Sequence, residues 1–223
     1  MKVWLSWSGG KDCAFALHEL RQSPAIEVVG LLTTVNATAQ RVSIHGVRLE
    51  LVREQALRLR LPLHEVALPS PCPNAVYEAK IAIALAGARQ EGVAGVAFGD
   101  LLLEDVRSYR EQQLQAAGLE AIFPIFGRPT EQVAEDEIGL GIRSILTCVD
   151  PMRMAARFAG RHFDRTLLAE LRAQPEEVDP CGENGEFHTF TFDSPDYSAP
   201  IPVKGGQVVG RDGFIFADLL ADL

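Results

Sequence analysis

The stretch that most constrains this chain is Val3-Trp4-Leu5-Ser6-Trp7-Ser8-Gly9-Gly10-Lys11-Asp12-Cys13, where a short apolar run breaks at a glycine pair and resumes with helical spacing. Its β-branched and aromatic residues favour a strand over Val3 to Trp7, while Cys13, Ala16, Leu17 and Leu20 recur as one face of a helix. The turn between them therefore sits at a helix N-terminus, where unpaired N–H groups and the positive end of the macrodipole favour an anion. Gly9 and Gly10 let the backbone bend tightly and come close to a ligand. Ser8 can add a hydroxyl donor, Lys11 a mobile charge for phosphate oxygens, and Asp12 a carboxylate able to hold Mg²⁺. An ordinary strand-to-helix turn with a solvated Lys-Asp pair is the plainer alternative. The fixed order of Ser, Lys and Asp directly behind a strand favours the phosphate cradle. Neither a Walker A loop nor a G-x-G-x-x-G turn is present.

Strand-like and helix-like segments then alternate. The apolar run Ile26 to Val35 predicts a second, buried strand, followed by a polar loop over Asn36 to Ser43 leading to His45-Gly46. Leu49, Val52, Ala56 and Leu57 mark a helix, and Leu63 to Leu68 a strand. Pro69, Pro71 and Pro73 make a stiff connection. Asn74 reads as an N-cap, with a mostly buried helix over Ala75 to Gln90. Val93 to Phe98 is a fourth strand ending in Gly99-Asp100, and ligands gather at that edge of a parallel sheet. Helices over Glu104 to Gln115 and from Thr130 flank a short strand at Ala121 to Ile125, and Arg143 to Val149 reads as the last strand of the block. The alternation predicts an α/β fold, a parallel sheet with helices on both faces, over residues 1–150. Residues 151–223, richer in glycine and proline with short β-like runs, read as a smaller C-terminal α+β region on the substrate side.

Composition narrows the class. The chain has 223 residues, 47% of them hydrophobic, enough for one substantial core. No run of about 18 apolar residues suggests a membrane span, and no signal peptide is read at the N-terminus. Cys13, Cys72, Cys148 and Cys181 form no C-x-x-C pair, which argues against a structural zinc and makes a reducing cytoplasm the expected setting. A net charge of −9 weighs against a broad nucleic-acid surface.

The C-terminal region carries an unusual cluster, Cys181-Gly182-Glu183-Asn184-Gly185-Glu186-Phe187-His188-Thr189. Glu183 and Glu186 could hold Mg²⁺ or a cationic group, and His188 could move a proton near neutral pH. A tight turn with solvated carboxylates is an equal alternative. For Cys181, a structural thiol is favoured over a nucleophile.

Ser8-Gly9-Gly10-Lys11-Asp12 resembles the signature of the PP-loop ATP pyrophosphatases, or adenine nucleotide alpha hydrolases. Gly182 to Thr189 is similar to the Gly-Glu-Gly-Gly-Glu-Tyr/Phe-x-Thr stretch of one branch, the diphthine–ammonia ligase family. The likeness extends through His45-Gly46, Gly99-Asp100 and Gly160-Arg161 and so spans most of the chain. Two departures are Cys13, where a serine often follows Lys-Asp, and Asn184, where a glycine is usual.

The resemblance implies a HUP-type sheet of about five parallel strands binding ATP across the strand ends. It implies cleavage between the α- and β-phosphates, adenylation of a carboxylate and attack by ammonia, giving an amide and AMP. Ser8 to Asp12 would hold the pyrophosphate, with Asp12 on Mg²⁺. Leu32, Thr33 and Thr34 would lie near adenine, and His45, Gly46, Gly99 and Asp100 beside the nucleotide. Lys11, Asp12, Glu183, Glu186 and His188 would be catalytic. Glu183, Asn184, Glu186, His188 and Thr189 would face the acceptor, diphthine or another carboxylate, carried on a protein such as an elongation factor. A homodimer stays open. The competing readings are a PP-loop enzyme acting on tRNA and a non-catalytic adenine nucleotide sensor.

Overall fold

The computed structural model describes every residue except Ser43, Ile44, Glu176 and Leu223. The elements run β1 (Lys2–Ser6), α1 (Lys11–Gln22), β2 (Glu27–Asn36), β3 (Arg41–Val42), α2 (Leu49–Leu59), β4 (Leu63–Leu68), α3 (Asn74–Gln90), β5 (Gly95–Ala97), α4 (Glu104–Ala117) and β6 (Glu120–Ile122). There follow α5 (Thr130–Leu140), β7 (Arg143–Val149), a 3-10 turn (Ala156–Phe158), β8 (His162–Phe163), α6 (Arg165–Arg172), β9 (Phe187–Asp193), β10 (Val203–Arg211) and β11 (Phe214–Ala221). Among the described residues no helix is long and apolar enough to cross a membrane.

Two sheets result. In the first, β4, β2, β1, β5 and β6 are neighbours in that order and all parallel, with the two-residue β3 added antiparallel to the end of β2. The chain passes from β1 to β2 on one side and returns to β5 on the other. The order thus reverses at β1, which opens a crevice at the carboxyl ends of β1 and β5. The second sheet is antiparallel, with β7 paired to β8, β9 and β11, and β10 on the outer edge of β11.

This corrects the placement of Arg143–Val149. That segment is a strand, but it lies at the centre of the second sheet, so the sheets divide between Ile122 and Arg143 and not after Asp150. Its apolar pattern fits either sheet, because burial on both faces is the same requirement in both. Other expectations shift locally. Pro73, not Asn74, flanks the start of α3, and no side chain caps that end. α3 buries only Ile81, Leu85 and Ala88, and Ile83 is 74% exposed. Alanines let the rest of that helix meet water at little cost. The stretch expected as a loop from Asn36 contains β3, while its last residue, Ser43, lies outside the described residues.

Helix α1 joins the two layers. It contacts β1 and β2 on one side and α5 and β9 on the other. One apolar core runs from Leu5, Phe15 and Leu17 through to Leu146, Phe158, Phe187 and Phe190, so both sheets pack against the same helix. Each of those fully buried aromatic rings contributes about 1.5–3 kcal/mol. Trp4, Leu85, Val96 and Phe98 form a second core under α3.

Candidate functional site

The crevice holds a cleft of about 530 Å³, lined from the first sheet by Ser8, Asp12, His45, Gly99, Asp100 and Arg110 and from the second unit by Gly182, Glu183, Asn184, His188 and Thr189. The two motifs at opposite ends of the chain therefore face one another. A larger groove of about 870 Å³ lies between α3 and α4, and none of the residues nominated from the sequence lines it.

The turn after β1 is held from several directions. Gly9 has φ +85°, a conformation that favours glycine, and a Cβ there would lie 2.9 Å from Gln55 Oε1. The Gly9 carbonyl accepts hydrogen bonds from Gln55 Nε2 at 2.9 Å and from the Thr191 amide at 2.8 Å. Gln55 also donates to the Thr191 carbonyl and accepts from Trp7 Nε1, and it is fully buried. Ser8 Oγ accepts from the Gly10 amide, and Thr189 Oγ1 accepts from the Lys11 amide at 3.1 Å. Thr189 thus caps the first helical position of α1 from β9.

Lys11 is not the mobile charge that its position in the turn suggests. Its side chain is 1% exposed, and its ammonium sits 2.5 Å from Asp12 Oδ1, 3.3 Å from Glu137 Oε2 and over the Phe163 ring. Burial alone would lower its pKa, but Asp12 and the surrounding acids raise it well above the usual lysine value, so the charge is kept. Glu137 is completely buried and carries a raised pKa, first from burial, with Lys11 opposing and Asp12 adding to the shift. Asp12 keeps 24% of its side chain exposed at the cleft floor. Asp12, Glu137 and Cys181 come within 4.8 Å of one another.

Gly99 packs against the start of α1, where a Cβ would lie 3.0 Å from the backbone of Asp12 and Cys13. Asp100 pairs with Arg110 at 2.6 Å, and Arg110 lies over Phe98. His45 and His188 lie side by side with ring centroids 4.5 Å apart and planes tilted by 38°, and His45 Nδ1 is 3.3 Å from the Thr189 carbonyl. Burial, then the neighbouring His45 and Lys11, push the His188 pKa down to about 3, and burial lowers that of His45. Both shifts favour the neutral ring.

The acidic cluster divides. Glu183 lines the cleft, accepts from the Leu101 and Leu102 amides, and has its pKa pushed up to about 7, by burial first and by Asp12 second. Glu186, expected to be catalytic, turns inward instead. Its carboxylate accepts from the amides of Asp179 and Asn184 and from the Asn184 side chain, and it is 2% exposed. Gly182 and Gly185 take positive φ, whereas Asn184 does not, so a side chain is tolerated there and serves as a donor to Glu186. Cys181 donates to the Thr130 carbonyl and Cys13 to the Gly10 carbonyl; burial raises both thiols, Cys13 to about 11. Their burial and backbone partners fit structural thiols.

Some expected residues do not reach the cleft. Leu32, Thr33 and Thr34 lie within β2, which continues to Asn36; the Leu32 carbonyl accepts from the Trp7 amide and Thr33 is buried. Gly46 has φ +66°, and a Cβ there would lie 2.6 Å from the Phe216 ring, so glycine at this position serves the packing of β11. The residues that sequence reading missed are Gln55, Glu137 and Thr191. Gln55 and Glu137 each interrupt an apolar helical stripe, Val52-Ala56-Leu59 and Val133-Ala134 respectively, and that interruption is the signal.

The family model described as the diphthamide synthase N-terminal domain matches residues 1–121, and the one described as the C-terminal domain matches residues 129–215. The diphthine–ammonia ligase of Bos taurus is 25% identical over 241 residues, covering 97% of this chain and 88% of that protein. The human diphthine–ammonia ligase is 25% identical over 244 residues with the same two coverages. A solved structure described as a predicted subunit of tRNA methyltransferase from Methanocaldococcus jannaschii superposes with a TM-score of 0.44 at 17% identity, over 86% of this chain and 96% of that one. Matched in order by both domains of one family, this chain belongs to the diphthamide synthase family.

Proposed function

We propose that this chain is an ATP-dependent amide-forming ligase that adenylates a carboxylate and aminates it with ammonia, releasing AMP and pyrophosphate. The observation that carries this reading is the meeting of Ser8 and Asp12, which flank the glycine pair at a helix N-terminus, with Glu183 and the histidine pair in one cleft. The acceptor is diphthine or a related carboxylate, presented by a partner protein such as an elongation factor. The free thiols suit a reducing cytoplasm.

Gly9, Gly10 and the first amides of α1 bind the departing pyrophosphate, where charge builds as the α–β bond breaks. Thr189 Oγ1 now occupies the Lys11 amide and gives way to a phosphate oxygen. Asp12 fits Mg²⁺ as a hard, partly exposed oxygen donor, and the ion would neutralise phosphate charge when bound. Cys181 and Glu137 do not fit that role, one a thiol held protonated and the other screened by Lys11. Glu183 faces the acceptor side and takes the proton that ammonia loses on attacking the acyl carbon. His45 and His188, both neutral, hydrogen-bond the acceptor without adding positive charge.

The test is an assay with ATP, Mg²⁺, ammonium and diphthine-bearing or small carboxylate acceptors. AMP and pyrophosphate should form in step with amide, and Asp12→Asn should abolish both. Formation of ADP and orthophosphate would refute the reading.

A further inference from the structure

Glu137 is a buried carboxylate with no well-directed hydrogen bond to either oxygen. Such a group normally costs several kcal/mol unless a charge balances it. The balancing charge is Lys11, 3.3 Å away and itself buried. Lys11 in turn touches Asp12, whose carboxylate forms the cleft floor. Glu137 stands on α5, with Val133 and Ala134 buried beside it, so the helix that carries it is fixed in the shared core. A lysine beside a phosphate-binding turn would otherwise extend into solvent, because its four-carbon stem loses conformational freedom when held.

We propose that Glu137 is a positioning residue for the nucleotide turn: it draws the Lys11 ammonium inward, over the Phe163 ring, and Lys11 then holds the Asp12 carboxylate at the floor of the cleft. This rests on the reading of Ser8 to Asp12 as a phosphate cradle. It explains why Lys11, though inside the motif, does not line the cleft. The acid that decides where Asp12 sits comes from the C-terminal half of the chain.

The experiment pairs two readouts on the full chain. Amine acylation followed by peptide mass spectrometry reports Lys11 accessibility, with the exposed Lys2 and Lys204 as internal standards. Calorimetry with ATP and Mg²⁺ reports binding. In the wild type Lys11 should react at least tenfold more slowly than Lys2 and Lys204. Glu137→Met, which keeps the volume and removes the oxygens, should raise Lys11 labelling about tenfold and weaken ATP binding by a similar factor. Glu137→Gln, which keeps an acceptor, should fall between it and the wild type. A variant that simply unfolds exposes the buried Cys13, Cys148 and Cys181 to thiol labelling as well, and Glu137→Gln then carries the comparison. Lys11 equally protected in every variant, or freely labelled in the wild type, overturns the positioning role. A wild type that protects Lys11 and binds no ATP overturns the nucleotide reading instead.

Discussion

Replacing Gln55 by leucine removes one buried amide that ties three segments together. Gln55 gives hydrogen bonds to the Gly9 and Thr191 carbonyls at 2.9 and 2.7 Å and receives one from Trp7 Nε1 at 2.8 Å. The losses differ in kind. Gly9 keeps the Thr191 amide and Thr191 keeps the Tyr197 hydroxyl, so each carbonyl forfeits about 0.5–1 kcal/mol. The Trp7 indole N–H is left buried with no partner, which costs about 1–3 kcal/mol. Leucine is close in volume, so little is added by a cavity. The total is about 2–5 kcal/mol, or roughly 4–20 °C in Tm for a chain of this size. Urea unfolding followed by tryptophan fluorescence measures it, and the m-value should be unchanged. Because the freed Gly9 carbonyl lets the turn rotate, ATP affinity should fall as well. A loss below about 0.5 kcal/mol would refute the view that Gln55 braces the turn.

Gly99→Ala places a Cβ 3.0 Å from the Asp12 and Cys13 backbone, which cannot swing aside, and should cost about 1–3 kcal/mol and weaken ATP binding at least tenfold in calorimetry. Glu183, with its pKa raised to about 7, keeps its full contribution to stability below about pH 4.5 and loses it as pH rises through 7. Glu183→Gln should therefore match the wild type at pH 4 in thermal melts and exceed it by about 3 kcal/mol above pH 7.5. Asp218 is pushed up by burial but brought down further by hydrogen bonds from Arg48 and Arg41, to about 2. Its contribution is present above about pH 4 and lost as pH falls toward 2, so the stability gap between wild type and Asp218→Asn, about 1 kcal/mol after screening by solvent, should close over that window.

What could be read from the sequence followed how local the cause was. The alternation of strands and helices is set by side chains a few residues apart, and a parallel sheet followed from it, whereas the number of about five strands came from the family resemblance and the alternation alone added Arg143–Val149 as a sixth. The sheet to which Arg143–Val149 belongs depends on partners near Phe187 and Phe214, which no local period encodes. β10 was not distinguished, because a glycine-rich strand exposed along nearly its whole length lacks the alternation that marks a buried face. In the site, the tight turn at Gly9 and the close approach at Gly99 were legible because they are properties of the backbone. Lys11 and Glu186 were misjudged because the groups that turn them inward, Glu137 for one and the Asp179 and Asn184 amides for the other, are visible only once the chain is folded.

The bond from the Lys11 amide to Thr189 spans 178 residues of sequence. Closing a loop of that size carries an entropic cost that nearby contacts must first offset, so such contacts tend to form late. Gly9 has the same dependence through Thr191. During synthesis the strand–turn–helix unit leaves the ribosome long before β9 exists, and until β9 docks, the turn lacks two of the contacts that set its shape. The turn therefore takes its final shape only with the last sixth or so of the chain, and truncation before Phe187 should leave a parallel sheet with an unset turn.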